Sequence, residues 1–470
     1  MGRAGCAAAR ALKRLVPRDQ ILLHDDASAL SAFAELGLSR LELKAGELPS
    51  AISPAPATLV KSPGIRADAP IVVAARAAGL QVIDEAELGW RLDPRPQLAV
   101  TGTNGKSTTA MLITEALQAN GIDSIVAGNT TVGPPLSGAA GGGGGVVVAE
   151  ISSFQLEGCS DLLPEAAVFT NLTRDHLYRH GTLERYAQCK RSMFVRDGRV
   201  VPFAAIGVDQ EFGRALADEL EAAGCRVVRF GAHEDSDRRV LAAAGAVDGG
   251  MVTVTEGADS RGIATRLPGW HNALNIAGAL AICDAIGLDP ESTAWGISQA
   301  APLGGRFERV GAPGDLDVIV DFAHNPDGVA HALRTARSVL DNRGGGKLIV
   351  VLSSLTIVDA AQGSAQGRVA RELADVLILT TQRWRLEDEA GELGDGLLQG
   401  AESSNHGSLV VEGDRREAIR RAISSAKTGD IVMVLERGSR SGELYDADGS
   451  AQIFDDREVA RELLSERSAV

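Results

Sequence analysis

The residues best placed to do chemistry lie in "QLAVTGTNGKSTTAMLITEAL", residues 97 to 117. Leu98, Ala99 and Val100 read as a short apolar strand, Thr101 to Gly105 as a turn of small residues, and Ser107 onward as a helix. The helix carries Leu112, Ile113, Ala116 and Leu117 on one face. Strand, glycine turn and helix in that order aim backbone N–H groups and the positive end of a helix at one point, which suits a phosphate. Lys106 has the reach for terminal phosphates and Ser107 a hydroxyl for Mg²⁺. The spacing departs from the common phosphate loop, since Val100 stands where its first glycine belongs and Gly102 supplies the extra one. The plain alternative is a glycine-rich turn that only caps a helix.

Other candidates cluster at the ends of expected elements. "GVVVAEISSFQL" is a buried strand closing on Glu150, where an acid serves Mg²⁺ in many nucleotide enzymes. "FTNLTRDHLYRHGTLERYAQCK" gathers Asp175, His176, His180 and Lys190 behind another strand. Two histidines four apart could hold zinc, but no third soft ligand follows, and a histidine beside Mg²⁺ and phosphate suits the segment better. Polar residues on a solvated loop are the plain alternative. "LPGWHNALNIAGALA" crowds His271, Asn272 and Asn275 at a helix start, and Asn offers the paired donor and acceptor of an adenine edge. "GGRFERV" puts Arg306 in a hinge-like segment, and "VIVDFAHNPDG" ends a strand in Asp321, His324, Asn325 and Asp327.

These residues need a scaffold. The chain has 470 residues, 44% hydrophobic and 4% aromatic, with 54 glycines, an aliphatic α/β composition too long for one core. A net charge of −15 excludes a nucleic-acid-coating surface, so an anionic substrate must be held by local cations. Five scattered cysteines without CxxC spacing support neither a disulfide framework nor a zinc site and fit a reducing cytoplasm. No apolar run reaches membrane-spanning length.

Strand–helix alternation in three successive segments predicts three largely parallel α/β domains, at 1–95, 96–302 and 303–470. In the first, "MGRAGCAAARALKRLV" reads as a glycine turn entering a helix, and "DQILLHDD", "SRLELKA" and "ATLVKS" as strands. Gly2 and Gly5 stand where a turn after a strand belongs, with no strand before them. One expectation is therefore a Rossmann-like domain whose first strand lies upstream of Met1; the other is an ordinary capped helix. The run Gly141 to Gly145 precedes its strand and is expected as a loop, not a phosphate cradle.

Taken in order, Thr101 to Ser107, Glu150 to Phe154, Asn171 with Asp175 and His176, Gly269 with His271, Asn272 and Asn275, Arg306 with Glu308, and Asp321 to Pro326 resemble the successive signatures of the Mur ligases. The resemblance covers nearly the whole chain. It implies that ATP phosphorylates a substrate carboxylate and that an amino acid amine then displaces phosphate. It implies ATP binding by Gly102, Thr103, Asn104, Gly105, Lys106, Ser107, Thr108, Asn272, Arg306 and Asp321. It also implies Mg²⁺ on Ser107, Glu150 and His176, and catalysis through Lys106, His176, Lys190 and Arg306. Asn272 would face adenine, Arg306 the γ-phosphate and Asp321 the ribose, and Lys190 matches the family lysine that becomes carbamylated. Substrate would meet Ser62, Pro63, Gly64, Asn129, Ser152 and His324.

Within the family, "KSPGIRADAPIVVAARAAGLQVIDEAEL" resembles members that add D-glutamate to UDP-N-acetylmuramoyl-L-alanine, whereas "FDDREVAREL" resembles those adding a third, diamino residue. The glycine-rich motif both carry after 347–352 is absent, "TTQRWRLED" replaces the diamino-acid motif, and Tyr178 replaces an Asp. D-glutamate is the first expectation, with a monomer using UDP-N-acetylmuramoyl-L-alanine and glutamate in cell-wall precursor synthesis. L-glutamate or another amino acid, a folylpolyglutamate-type ligase, and a non-catalytic nucleotide-binding partner subunit are the alternatives.

Overall fold

Valine- and isoleucine-rich runs of four to six residues, each closed by a glycine, an acid or a hydroxyl residue, become the strands of two parallel sheets in the computed structural model. The structure describes residues 2–17, 21, 23, 57–129, 132–311, 316–353, 360–380, 390–445 and 451–468. The expected strand "SRLELKA" and most of "DQILLHDD" lie outside them. The chain divides into two compact units, one of Met1–Arg239, Thr255–Asp259 and Leu274–Ile297, the other of Val240–Val254, Ser260–Ala273 and Ser298–Val470.

In the first unit the opening helix Arg3–Leu12 is followed by β1 (Thr58–Lys61) and β2 (Gln81–Asp84), a parallel pair linked by helix Pro70–Ala77. Its main sheet contains β3 (Gln97–Thr101), β4 (Ser124–Gly128), β5 (Val146–Glu150), β6 (Ala166–Phe169), β9 (Phe203–Gly207) and β10 (Arg226–Gly231). A small antiparallel hairpin, β7 (Val195–Arg196) and β8 (Arg199–Val200), stands apart. The main strands run parallel in the order β10-β9-β6-β3-β5-β4. Val100 therefore pairs with Glu150 and Thr101 with Phe169, which brings the carboxyl ends of three strands together beside the glycine turn. Ligands of open parallel sheets sit at such ends.

The second unit holds most of the hairpin β11 (Arg238–Ala246) and β12 (Gly249–Glu256), an antiparallel pair next to β13 (Asp259–Thr265). Sequence alternation predicts parallel units here as well. The turn signals "AVDGGM" and "EGADS" instead leave no room for crossover helices. The unit's sheet is β14 (Glu308–Val310), β15 (Asp317–Asp321), β16 (Leu348–Ser353), β17 (Val376–Thr380), β18 (Ser408–Val411) and β19 (Ile431–Leu435), ordered β14-β15-β19-β16-β17-β18. Only β14 runs antiparallel to its neighbour. Along β16, Leu348, Val350 and Leu352 enter one core while Ile349 and Val351 enter the other. Both faces are covered by helices, which is why these strands are continuously apolar and not alternating.

Candidate active site

The glycine turn holds its shape because two positions leave no room for a side chain. Gly102 (φ +148°) would place a Cβ 1.9 Å from Thr170 Oγ1, and Gly105 (φ +85°) one 2.2 Å from Asn275 Oδ1. The turn is stitched to the loop after β6. Asn104 N–H donates to Asn171 Oδ1 (2.9 Å), and the Asn104 carbonyl accepts from Thr170 Oγ1 (2.7 Å) and Asn171 Nδ2 (3.2 Å). Thr103 N–H donates to the Asn171 carbonyl, and Tyr186 OH to Thr103 Oγ1 (3.3 Å). Helix Lys106–Ala119 starts straight from Gly105, and its predicted apolar face, Leu112, Ile113, Ala116 and Leu117, is buried.

Lys106 folds back onto this turn, its Nζ donating to the carbonyls of Gly102 (3.1 Å) and Thr103 (2.8 Å). Ser107 Oγ donates to Glu150 Oε2 at 2.7 Å, and Asn129 Nδ2 to Glu150 Oε1 at 3.3 Å. Glu150 is 3% exposed, so a hydroxyl, a carboxylate and an amide, all hard oxygen ligands or their partners, meet where the helix begins. That donor chemistry fits Mg²⁺. Thr108 follows Ser107 in the first turn of the helix.

Lys190, on helix Leu183–Arg191, is 1% exposed and reaches the same Gly102 carbonyl at 2.6 Å, with Nζ 4.4 Å from the Tyr186 ring centroid. Burial, and then the nearby charge of Lys106, hold its amine well below the ordinary lysine range. His176 has left-handed backbone (φ 54°), fixed by Asp175, whose Oδ1 accepts its N–H at 2.8 Å. A non-glycine residue in that region is strained unless its surroundings impose it. The ring, with a third of the side chain exposed, lies 3.4 Å from the same oxygen and packs on Phe154, Tyr178 and Tyr186. Tyr186 thus joins His176 to the glycine turn. Among the described residues no group of three or more His, Cys, Asp and Glu side chains gathers as a metal centre.

Of the predicted substrate residues of this unit, Asn129 meets Glu150 and Gly64 meets Arg179. Arg179 donates to the carbonyls of Gly64 and Ile65 (both 3.2 Å), pairs with Glu157 (2.7 Å), and lies 4.2 Å over Phe154. Ser152 caps the short helix Ser153–Leu156, Ser153 Oγ meets His180 Nε2 at 3.0 Å, and burial lowers the His180 pKa. Gly64 and Ile65 are thereby linked through Arg179 to Phe154 and Glu157, in the segment following Glu150.

The remaining predicted residues belong to the second unit. Asp321 ends β15 and accepts from Phe307 N–H (2.6 Å) and Ala323 N–H (2.7 Å). Arg306 stacks on Phe322 at 4.4 Å, and His324 Nδ1 lies 2.8 Å from the Phe322 carbonyl. Asn272, in helix Trp270–Ile286, donates to the Pro268 carbonyl at 2.8 Å. Sequence reasoning passed over Thr170, Tyr186 and Arg179. Nothing in their local pattern marks them; only the packing of distant loops does.

Residues 100–283 match the Mur ligase middle domain and residues 305–438 the glutamate ligase domain of Mur ligases. The chain belongs to the Mur ligase family. It is an ATP-dependent, ADP-forming ligase. The UDP-N-acetylmuramoyl-L-alanyl-D-glutamate–2,6-diaminopimelate ligase of Chromobacterium violaceum is 31% identical over 84% of this chain and 80% of its own. The UDP-N-acetylmuramoylalanine–D-glutamate ligase of Desulfitobacterium hafniense is 32% identical over 92% and 90%. The fold matches that of the Thermotoga maritima UDP-N-acetylmuramate–alanine ligase, with TM-score 0.63 and 19% identity over 100% of this chain and 98% of that one. No helix among the described residues is long and apolar enough to cross a membrane.

Proposed function

We propose that this Mur ligase extends UDP-N-acetylmuramoyl-L-alanine with D-glutamate in peptidoglycan precursor synthesis. The Ser107–Glu150 pair beneath the glycine turn carries the phosphoryl-transfer half of that reading, because it sets hard oxygen ligands at a helix N-terminus. Ser107, Glu150 and His176 would hold Mg²⁺, which neutralises charge on the phosphates. The acceptor carboxylate attacks the γ-phosphorus and ADP departs. The glutamate amine then attacks the carbonyl of the acyl phosphate, loses a proton and expels phosphate. Lys106 leaves its two carbonyls for the phosphates, and Arg306 takes the transferring group, stabilising charge that grows in the transition state.

Asn272 is assigned to adenine, Asp321 to ribose, and Ser62 to Gly64, Asn129, Ser152 and His324 to the substrate. Lys190, a buried amine whose pKa burial holds well below the ordinary lysine range, has the chemistry to add CO₂ and become a carbamate. That exchange would turn an unwelcome buried cation into an anion beside Mg²⁺. Three domains, 1–95 for the UDP-sugar, 96–302 for ATP and 303–470 for the amino acid, divide the labour.

The choice of D-glutamate is supported by the "KSPGI" segment and by a D-glutamate ligase relative that aligns over 92% of this chain. Several relatives named for diaminopimelate favour a second reading, in which the acceptor already carries D-glutamate. Phosphate release, measured with each acceptor against a panel of D- and L-amino acids, separates them. Release with UDP-N-acetylmuramoyl-L-alanine and D-glutamate only is expected. Turnover solely with diaminopimelate would refute the first reading, and AMP formation would refute both.

A further inference from the structure

Gly305 and Gly438 let two loops of the second unit lie on each other. Both have left-handed backbone (φ +67° and +55°). A Cβ on Gly305 would sit 1.9 Å from Ser439 N; one on Gly438 would sit 2.6 Å from the Gly305 carbonyl oxygen and 2.7 Å from Phe322 Cβ. Neither position accepts a side chain without parting the loops. Their close approach has a consequence at the neighbouring residues. Arg306 and Arg440 both place their guanidinium groups over the Phe322 ring, 4.4 and 4.3 Å from its centroid. Phe322 directly follows Asp321 at the carboxyl end of β15.

Nearby arginines are matched with acids: Arg457 with Asp455 (2.7 Å), Arg461 with Glu308 (3.1 Å), and Arg415 with Asp456 (2.7 Å). Arg440 is exposed, and among the described residues no carboxylate pairs with it. In a chain with 62 acids against 47 bases, an arginine held on an aromatic ring beside a second arginine, with no acid of its own among the described residues, is arranged for an anion from outside.

We propose that Arg440 binds a carboxylate of the incoming amino acid. The inference rests on the ligase reading above and deepens it. The transferring phosphoryl group already has Lys106, the glycine turn and Arg306 assigned to it. The amino acid brings a carboxylate into every turnover and has no cation assigned. A guanidinium close to that carboxylate also disfavours the charged ammonium and so favours the neutral amine that must attack.

The test is steady-state kinetics of Arg440→Ala and Arg440→Lys with D-glutamate, with 4-aminobutanoate (no α-carboxylate) and with D-glutamine (no side-chain charge). Losing a charge-assisted contact should raise the KM for D-glutamate about tenfold or more in the alanine variant. The KM for ATP should hold within about twofold, and the lysine variant should recover part of the loss, because it retains the charge without the fork. Discrimination against one of the two analogues should shrink by the same factor, which also tells which carboxylate is held. A raised KM for ATP, or unchanged discrimination against both analogues, overturns the proposal. If the wild-type protein prefers another amino acid, the D-glutamate reading fails alone. The variants are then measured with that amino acid and with its decarboxylated amine.

Discussion

Two lysines of the first unit are equally hidden and differ in what faces them. Lys61, 2% exposed at the end of β1, is paired with Asp84 at 3.0 Å, and Asp84 also caps the helix Glu85–Leu92. Lys190 faces a peptide carbonyl and an aromatic ring. Breaking a buried pair strands a charge, whereas removing a cation that lacks its counterion relieves one. The first arrangement serves the fold, and the second is the kind of buried, perturbed group that marks a candidate functional position.

The contrast is sharpened first at the glycine turn itself. Lys106→Ala should lower kcat about a thousandfold while leaving thermal unfolding nearly unchanged, since it removes charge aimed at the transferring phosphoryl group; near-normal turnover would count against the whole site. Lys61→Ala should cost about 3–5 kcal/mol of stability and spare kcat once the protein is folded. Lys190→Ala should do the reverse, dropping kcat about a hundredfold with stability unchanged or raised by about 1 kcal/mol. Equal losses of stability in the two alanine variants, measured by denaturant unfolding, would erase the distinction. Ser107→Ala is expected to raise the Mg²⁺ concentration needed for half-maximal turnover about tenfold, read from a metal titration of turnover.

The smallest effect concerns Glu85, whose Oε1 accepts from Ser137 N–H (2.7 Å) and Oγ–H (2.5 Å). Burial raises its pKa to about 7 from an ordinary 4.5. A carboxyl whose folded pKa lies above its unfolded one binds its proton better when folded. Its contribution is thus present in acid and is lost as pH rises from the unfolded value through about 7. Glu85→Gln keeps an acceptor and removes that slope, so the variant should gain on the wild type by about 1–3 kcal/mol between mildly acidic and neutral pH. A constant difference across that range would show that Glu85 is not the titrating group.

What could be read from the sequence follows from range. The glycine turn was legible because strand, turn, lysine and helix are contiguous, and Glu150 because a valine run announces the strand that ends on it. Asn275 was visible only as one residue in a crowded helix start. Its contact with Gly105 joins positions far apart in the chain, and no local period encodes it. Arg179 was hidden inside a histidine-rich stretch that drew attention to metal ligands. The β11–β12 hairpin was lost among short alanine runs, where strand and helix propensities scarcely differ. His176 stood out in the sequence beside Asp175, but its left-handed backbone is imposed by Asp175 and the surrounding rings, a tertiary effect no local pattern shows.

The Gly102 carbonyl oxygen accepts from two lysine side chains at once, Lys106 and Lys190. On the proposed reading, nucleotide entry is an exchange in which Lys106 gives up the Gly102 and Thr103 carbonyls for phosphate oxygens while Lys190 keeps its own contact with Gly102. The affinity for ATP is then a difference between two sets of oxygens, and a change that loosens the hold of the turn on Lys106 would tighten nucleotide binding.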